Sequence, residues 1–185
     1  MFYPLKSRLN LKIRIKRSWV KDKDGVTAVE FSLIAFPLFL LVFGMIEIGF
    51  LFGAATMLES GTIQATRIVR TGQVQAAADP AETFATELCN RVNILIDCNE
   101  LFHEVILIPD NDFLRAGDFP PQYDADGNLI PQGFDPGGPS DVVLVRTSYL
   151  YPYFTPFLSA FLDSDGDDGV RMLTTTVIRN EPYEE

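Results

Sequence analysis

Apolar and polar positions divide the chain into blocks of different period. From Phe31 to Ala55 it reads FSLIAFPLFLLVFGMIEIGFLFGAA, and Glu47 is the one charged residue in that run. A helix packed into a soluble core shows an apolar stripe and a polar face. Here every face is apolar, and a bilayer core of about 30 Å takes roughly 20 such residues as a helix. The pattern predicts a transmembrane helix, assigned to residues 26–55. Pro37 removes one rung of its hydrogen-bond ladder and predicts a kink or loosening there. No proline occurs from Leu38 to Asp79, and Leu58, Thr62, Ala65 and Ile68 or Val69 recur at helical spacing. The helix is therefore expected to continue to about Gly72, with residues 56–78 as its extension.

Beyond it the period changes. Asp79-Pro80-Ala81-Glu82 is a helix start, with a capping Asp, a Pro suited to the first helical position and an acid in the first turn. Phe84, Leu88, Val92 and Leu95 then mark one face. Three stretches read as strands: Glu104–Ile108, Val142–Leu150 and Val170–Arg179. The expected fold is α+β: a long N-terminal transmembrane helix extending outward, then a small helix and an antiparallel three-stranded sheet in an outer domain over residues 79–185. Asp110 to Ser140 is rich in Pro, Gly and Asp and reads as a long loop, a class that is usually functional or mobile. Tyr149 to Phe161 is aromatic and proline-bearing; packing on the sheet is expected, and the membrane surface or a partner is the alternative.

Charge sharpens this division. The net −10 conceals eight Lys or Arg in residues 1–25 against Asp22 and Asp24, and seven Arg against 21 acids in residues 56–185. Basic flanks stay on the cytoplasmic side. Residues 1–25 are thus expected to be a cytoplasmic leader, and the acidic domain to lie on the far side of the membrane. The basic arm's place directly before a membrane helix points to anionic headgroups and topology. No nucleic-acid partner is expected, since the outer domain is acidic.

The junction carries the most specific pattern. Gly25 is followed by four residues, then Glu30 and Phe31, then the apolar helix. A carboxylate in hydrocarbon costs about 2.5–3.5 kcal/mol on insertion scales, so such a group usually has a partner or a function. Glu30 can also sit at headgroup level and favour the positive end of the helix dipole. Basic leader, glycine, glutamate with an aromatic neighbour and spanning helix together resemble the processing and assembly signal of type IV pilin-like proteins. More closely, the pattern resembles the TadE-like pseudopilins of the tight-adherence (Flp) pilus machinery. The resemblance implies cleavage by a prepilin peptidase at Gly25–Val26. It also implies a Glu30 that neutralises the new α-amino group of a neighbouring subunit, which is sound physics where either charge alone is costly. Met45-Ile-Glu-Ile-Gly49 resembles the family's second glutamate, Gln64 to Gln73 its emerging helix, and Leu173 to Tyr183 its terminal strand with an Arg-Asn-Glu-Pro ending. Gly49 and Gly53, four apart, would let a second helix approach, with Glu47 beside them.

The remaining candidate chemistry is sparse. Cys89 and Cys98 are the only cysteines, and in an oxidising compartment they form a candidate disulfide; two unrelated thiols are the alternative. Asp124, Asp126 and Asn128, and Asp163, Asp165 and Asp167, are candidate calcium ligands. Leu129 stands where a calcium-binding EF-hand loop needs glycine, however, and polar turns explain both stretches. No other cofactor is expected. His103 is the sole histidine and reads as structural. No nucleophile elbow, phosphate loop, dinucleotide loop or metal-protease helix occurs, so neither an enzyme nor a small-molecule binder is expected. The sequence reads as a single-pass bacterial inner-membrane pseudopilin with other pilins, pseudopilins and pilus assembly proteins as partners. The alternative is an uncleaved membrane-anchored binding module with an acidic, calcium-binding outer domain.

Overall fold

The computed structural model describes residues 25–155 and 169–183. The leader before Gly25, the candidate ligands Asp163, Asp165 and Asp167, and the aromatic stretch past Thr155 lie outside the described residues. The chain divides into two compact units, 1–41 and 42–185. In the first, the described part is helical from Val26, and Phe31, Leu33, Ile34, Phe36 and Leu38 are exposed. These residues belong to α1, Val26–Arg70, which is long and apolar enough to cross a membrane and is assigned as one helix through Pro37.

The second unit holds the last part of α1, then α2 (Pro80–Val92), β1 (Leu101–Leu107), β2 (Val142–Pro152) and β3 (Gly169–Arg179). The strands form one antiparallel sheet in the order β1-β2-β3. α1 ends in a Schellman turn: Gly72 takes φ +79°, Gln73 N–H donates to Ile68 O at 3.0 Å, and Gly72 N–H to Val69 O at 3.2 Å. α2 starts as its sequence dictates, with the Asp79 carboxylate accepting from Glu82 N–H at 3.0 Å. Phe84, Leu88 and Val92 are its buried face.

α1 is part of the core. Ala54, Leu58, Ala65 and Val69 are buried together with the α2 face and with Val105, Val143, Val145 and Tyr149 of the sheet. Thr62 of α1 shares a hydrogen bond with Thr147 of β2 at 2.7 Å, and both are buried. A Cβ at Gly61 would collide with Val92 Cγ1, so this glycine lets α2 lie close. Cys89 at the end of α2 and Cys98 before β1 are joined, Cα–Cα 5.6 Å, within the span a disulfide bridges. Closing so short a loop contributes about 3 kcal/mol on the chain-entropy account.

β2 is buried on both faces. Val143, Val145 and Thr147 face the helices, while Leu144 and Val142 join Ile108 in a second cluster with Ile106, Ala116, Phe119 and Val177. The segment from Asp110 to Asp141 covers that second face. It is irregular in sequence yet anchored in space. Phe134 pairs beside Val105 of β1, with Val105 N–H to Gly133 O at 3.2 Å and Asp135 N–H to Val105 O at 2.7 Å. The Phe134 ring lies 5.8 Å from Phe84 and 6.1 Å from His103.

Opposite each other in the β1–β2 register stand Glu104 and Arg146, an ion pair with side chains 0% and 4% exposed. Glu104 also accepts from Gln132 N–H at 2.7 Å, and Arg146 donates to Phe119 O at 2.6 Å. The pair thus pins the long loop at two places.

Candidate functional site

The candidate residues fall into two groups along α1. Gly25 is the residue before the helix, and its carbonyl accepts the first helical hydrogen bond, from Val29 N–H at 3.1 Å. Val26, Glu30 and Phe31 are exposed, Phe31 to 68%. A Cβ built on Gly25 meets nothing within 4 Å, and Gly25 is not among the positive-φ glycines. Among the described residues there is therefore room for a side chain there.

The second group is Glu47, Gly49 and Gly53. Glu47 is buried, 3% exposed, and is the one charged residue in the apolar run 31–55 of α1. Its carboxylate accepts two backbone hydrogen bonds, from Phe154 N–H at 2.6 Å and Thr155 N–H at 2.8 Å. Charge-assisted bonds to backbone amides are the strong kind, and here both oxygens are satisfied. The structure therefore gives Glu47 partners from its own chain, at the corner just after β2. Gly49 is open, with nothing within 4 Å of an added Cβ. Gly53 is not, since Leu95 Cδ1 lies 3.4 Å from that position. Of the two glycines at helix-association spacing, one faces open space and the other meets the turn after α2.

Glu47 also borders a groove of about 990 Å³. Phe43, Ile46 and Phe50 of α1 line one side, and Ile94, Leu95 and Phe154 line another. The remaining chemistry is confined to turns. The Asp124 carboxylate accepts from Asn128 N–H at 2.8 Å and Asp126 N–H at 3.0 Å, and Leu129, the residue after them, is buried. The N–H of Asn128, with that of Asp126, holds the Asp124 carboxyl below the usual carboxylate range. Among the described residues no group of three or more His, Cys, Asp or Glu converges on a point where a metal ion could sit. His103 packs its ring 5.5 Å from Phe84, and burial pushes its imidazole below the ordinary value.

The two other stretches singled out in the sequence come together. Glu181 N–H donates to Arg70 O at 2.8 Å, the Arg70 and Glu181 side chains pair at 2.7 Å, and the Tyr183 ring lies against Gly72. Asn180 donates to Pro136 O and Gly138 O. The Arg-Asn-Glu-Pro ending thus ties the end of α1 to the long loop. Sequence reasoning did not single out the Glu104–Arg146 pair or Gly61. Opposite charges inside two apolar strands were a signal for the first. For the second there was none, because its cause is Val92, distant in sequence.

Residues 25–67 match the family model described as TadE-like protein. No curated protein and no solved structure matches the chain. The matched segment opens on Gly25, runs through the exposed part of α1 and ends inside the packed part. The chain carries a TadE-like domain over residues 25–67.

Proposed function

We propose that this protein is a pseudopilin of a tight-adherence pilus system, a structural part rather than a catalyst. It is anchored by α1 in the bacterial inner membrane, with the leader cytoplasmic and the α+β domain periplasmic. A prepilin peptidase cleaves after Gly25. The new N-terminus at Val26 and Glu30 then serve association with other pilins or pseudopilins and with assembly proteins.

The observation that carries this reading is the position of Gly25. The family match begins there, the helix begins one residue later, and among the described residues nothing stands in the way of a side chain at that position. The charge division supports the orientation, with basic residues before the helix and an acidic domain after it. The Cys89–Cys98 bond fits an oxidising compartment. Glu30 is exposed on α1, where a neighbouring subunit's ammonium can reach it.

The test is N-terminal sequencing of the protein extracted from native membranes. A start at Val26 is expected, with Gly25→Leu accumulating at full length. A start at Met1 or Phe2 in the unaltered protein would overturn processing. A cleaved Glu30→Ala protein that assembles as well as the unaltered one would remove the role given to Glu30.

A further inference from the structure

The groove beside Glu47 is built on the helix that the proposed function places in the membrane. Its floor residues Phe43, Ile46 and Phe50 belong to the exposed apolar surface of α1. Its other wall comes from the outer domain. Ile94, in the turn closed by the Cys89–Cys98 bond, is 77% exposed, and Phe154 is 71% exposed. Both are large apolar side chains standing in the open next to a third apolar surface. Single exposed hydrophobics need no explanation, but a contiguous set does.

Helix length gives the depth of this set. A bilayer core of about 30 Å takes about 20 helical residues, so a span that begins at Val26 reaches the far boundary near Met45. Phe43, Ile46 and Phe50 bracket that boundary. At this depth a free carboxylate would be costly, and Glu47 meets the cost with two backbone N–H donors rather than with water. Those same two bonds hold the corner that presents Phe154. The polar lining residues Asn93 and Asp97 suit the headgroup layer.

We infer that this groove is a lipid-contact surface: the Ile94 turn and the Phe154 corner dip into the outer leaflet, and acyl chains fill the space between them and α1. The inference rests on the membrane-anchored reading above. Lipid is the occupant because the groove opens on apolar side chains of α1 at the depth where the bilayer boundary falls. A second copy is disfavoured, since its outer domain carries seven Arg against 21 acids and would bring like charge to like.

The experiment places single tryptophan reporters in the full chain, with Trp19→Phe as background. Reporters are Ile94→Trp and Phe154→Trp at the groove, Phe36→Trp on α1 and Leu114→Trp on the exposed loop, a side chain 89% exposed. All four sites are exposed, so none disturbs the core. Each protein is placed at one copy per phosphatidylcholine nanodisc, with acyl chains brominated near the headgroup or near the chain end. The groove reporters should lose on the order of twofold in emission with bromine near the headgroup, the depth of an interfacial side chain. Phe36→Trp should be quenched more by the deeper bromine, and Leu114→Trp by neither.

Unquenched groove reporters beside a quenched Phe36→Trp would overturn the inference and leave membrane anchoring standing. An unquenched Phe36→Trp would overturn both. Groove reporters that stay unquenched and shift to the blue only when several copies share a disc would assign the groove to a second copy, which also overturns it.

Discussion

Replacing Glu104 by glutamine tests whether the buried ion pair holds the long loop on the sheet. The substitution keeps volume and one acceptor but removes the charge opposite Arg146. Arg146 is 4% exposed and cannot recover its solvation without opening the structure. Breaking a buried pair by removing one partner costs about 3–5 kcal/mol, because a charge is left uncompensated. Against a typical domain stability of about 5–15 kcal/mol this is a large share. The effect should be local as well as global, since Glu104 and Arg146 each hold a loop backbone group, at Gln132 and Phe119.

Urea unfolding of the full chain in detergent micelles, followed by circular dichroism, reads the global term. Hydrogen-exchange mass spectrometry of residues 119–134 reads the local one. The double variant Glu104→Gln with Arg146→Met removes both charges and keeps an acceptor for Gln132 N–H. It leaves the Phe119 carbonyl and the Thr175 hydroxyl without their Arg146 donor and the new amide N–H without an acceptor, losses of about 1–3 kcal/mol for a buried group, but no uncompensated charge. It should therefore be more stable than Glu104→Gln alone by roughly 2 kcal/mol, as expected where a pair is replaced rather than broken. A Glu104→Gln protein within about 0.5 kcal/mol of the parent, the scatter of surface substitutions, would refute the reasoning. So would a double variant that loses the sum of the two single effects.

Two further outcomes follow from single contacts. Gly61→Ala should lower the urea midpoint, because its Cβ meets Val92 and overpacking of about 1–3 kcal/mol outweighs the gain of about 1 kcal/mol in helix propensity, whereas Gly49→Ala, which meets nothing, should not lower it. His103 is held neutral by burial, below its ordinary 6.5, so the unfolded chain binds the proton more readily than the folded one. Its contribution to stability is full above pH 6.5 and is lost as pH falls from there through the lowered folded value. Unfolding measured across that window should show a slope that His103→Phe flattens.

The elements were legible where one local rule governed them. The uninterrupted apolar run gave α1, the Asp79 cap with Phe84, Leu88 and Val92 gave α2, and β-branched runs gave β2 and β3 within two residues. β1 begins earlier than its apolar core, at Leu101, because Phe102 and His103 are half-buried and pair across to Ser148 and Thr147. The loop from Asp110 to Asp141 was not legible as a layer of the fold. Its Pro, Gly and Asp residues carry no period, and what holds it is the register that sets Glu104 opposite Arg146. The partners of Glu47 were hidden for a similar reason: the amides it binds lie 107 and 108 residues away. The carboxylate itself was visible as an anomaly in an apolar run, and the structure supplies the two donors that make it tolerable.

The glycines of α1 and its end separate internal from external demands. At Gly61 a side chain would strike Val92, and at Gly72 a positive φ and the Tyr183 ring both require the missing Cβ. These two serve the fold and sit where α1 meets α2 and the C-terminal segment. Gly25 and Gly49 have open space among the described residues, and each adjoins a candidate functional element, the start of the helix and the buried Glu47. A glycine in a helix interior costs about 1 kcal/mol relative to alanine. A second helix lying close over Gly49 would offset that cost. Gly25 and Gly49 lie where a protease subsite and a neighbouring helix would meet α1. Gly25→Ala should leave stability intact and alter cleavage, and Gly49→Ala should hold or raise stability while altering association.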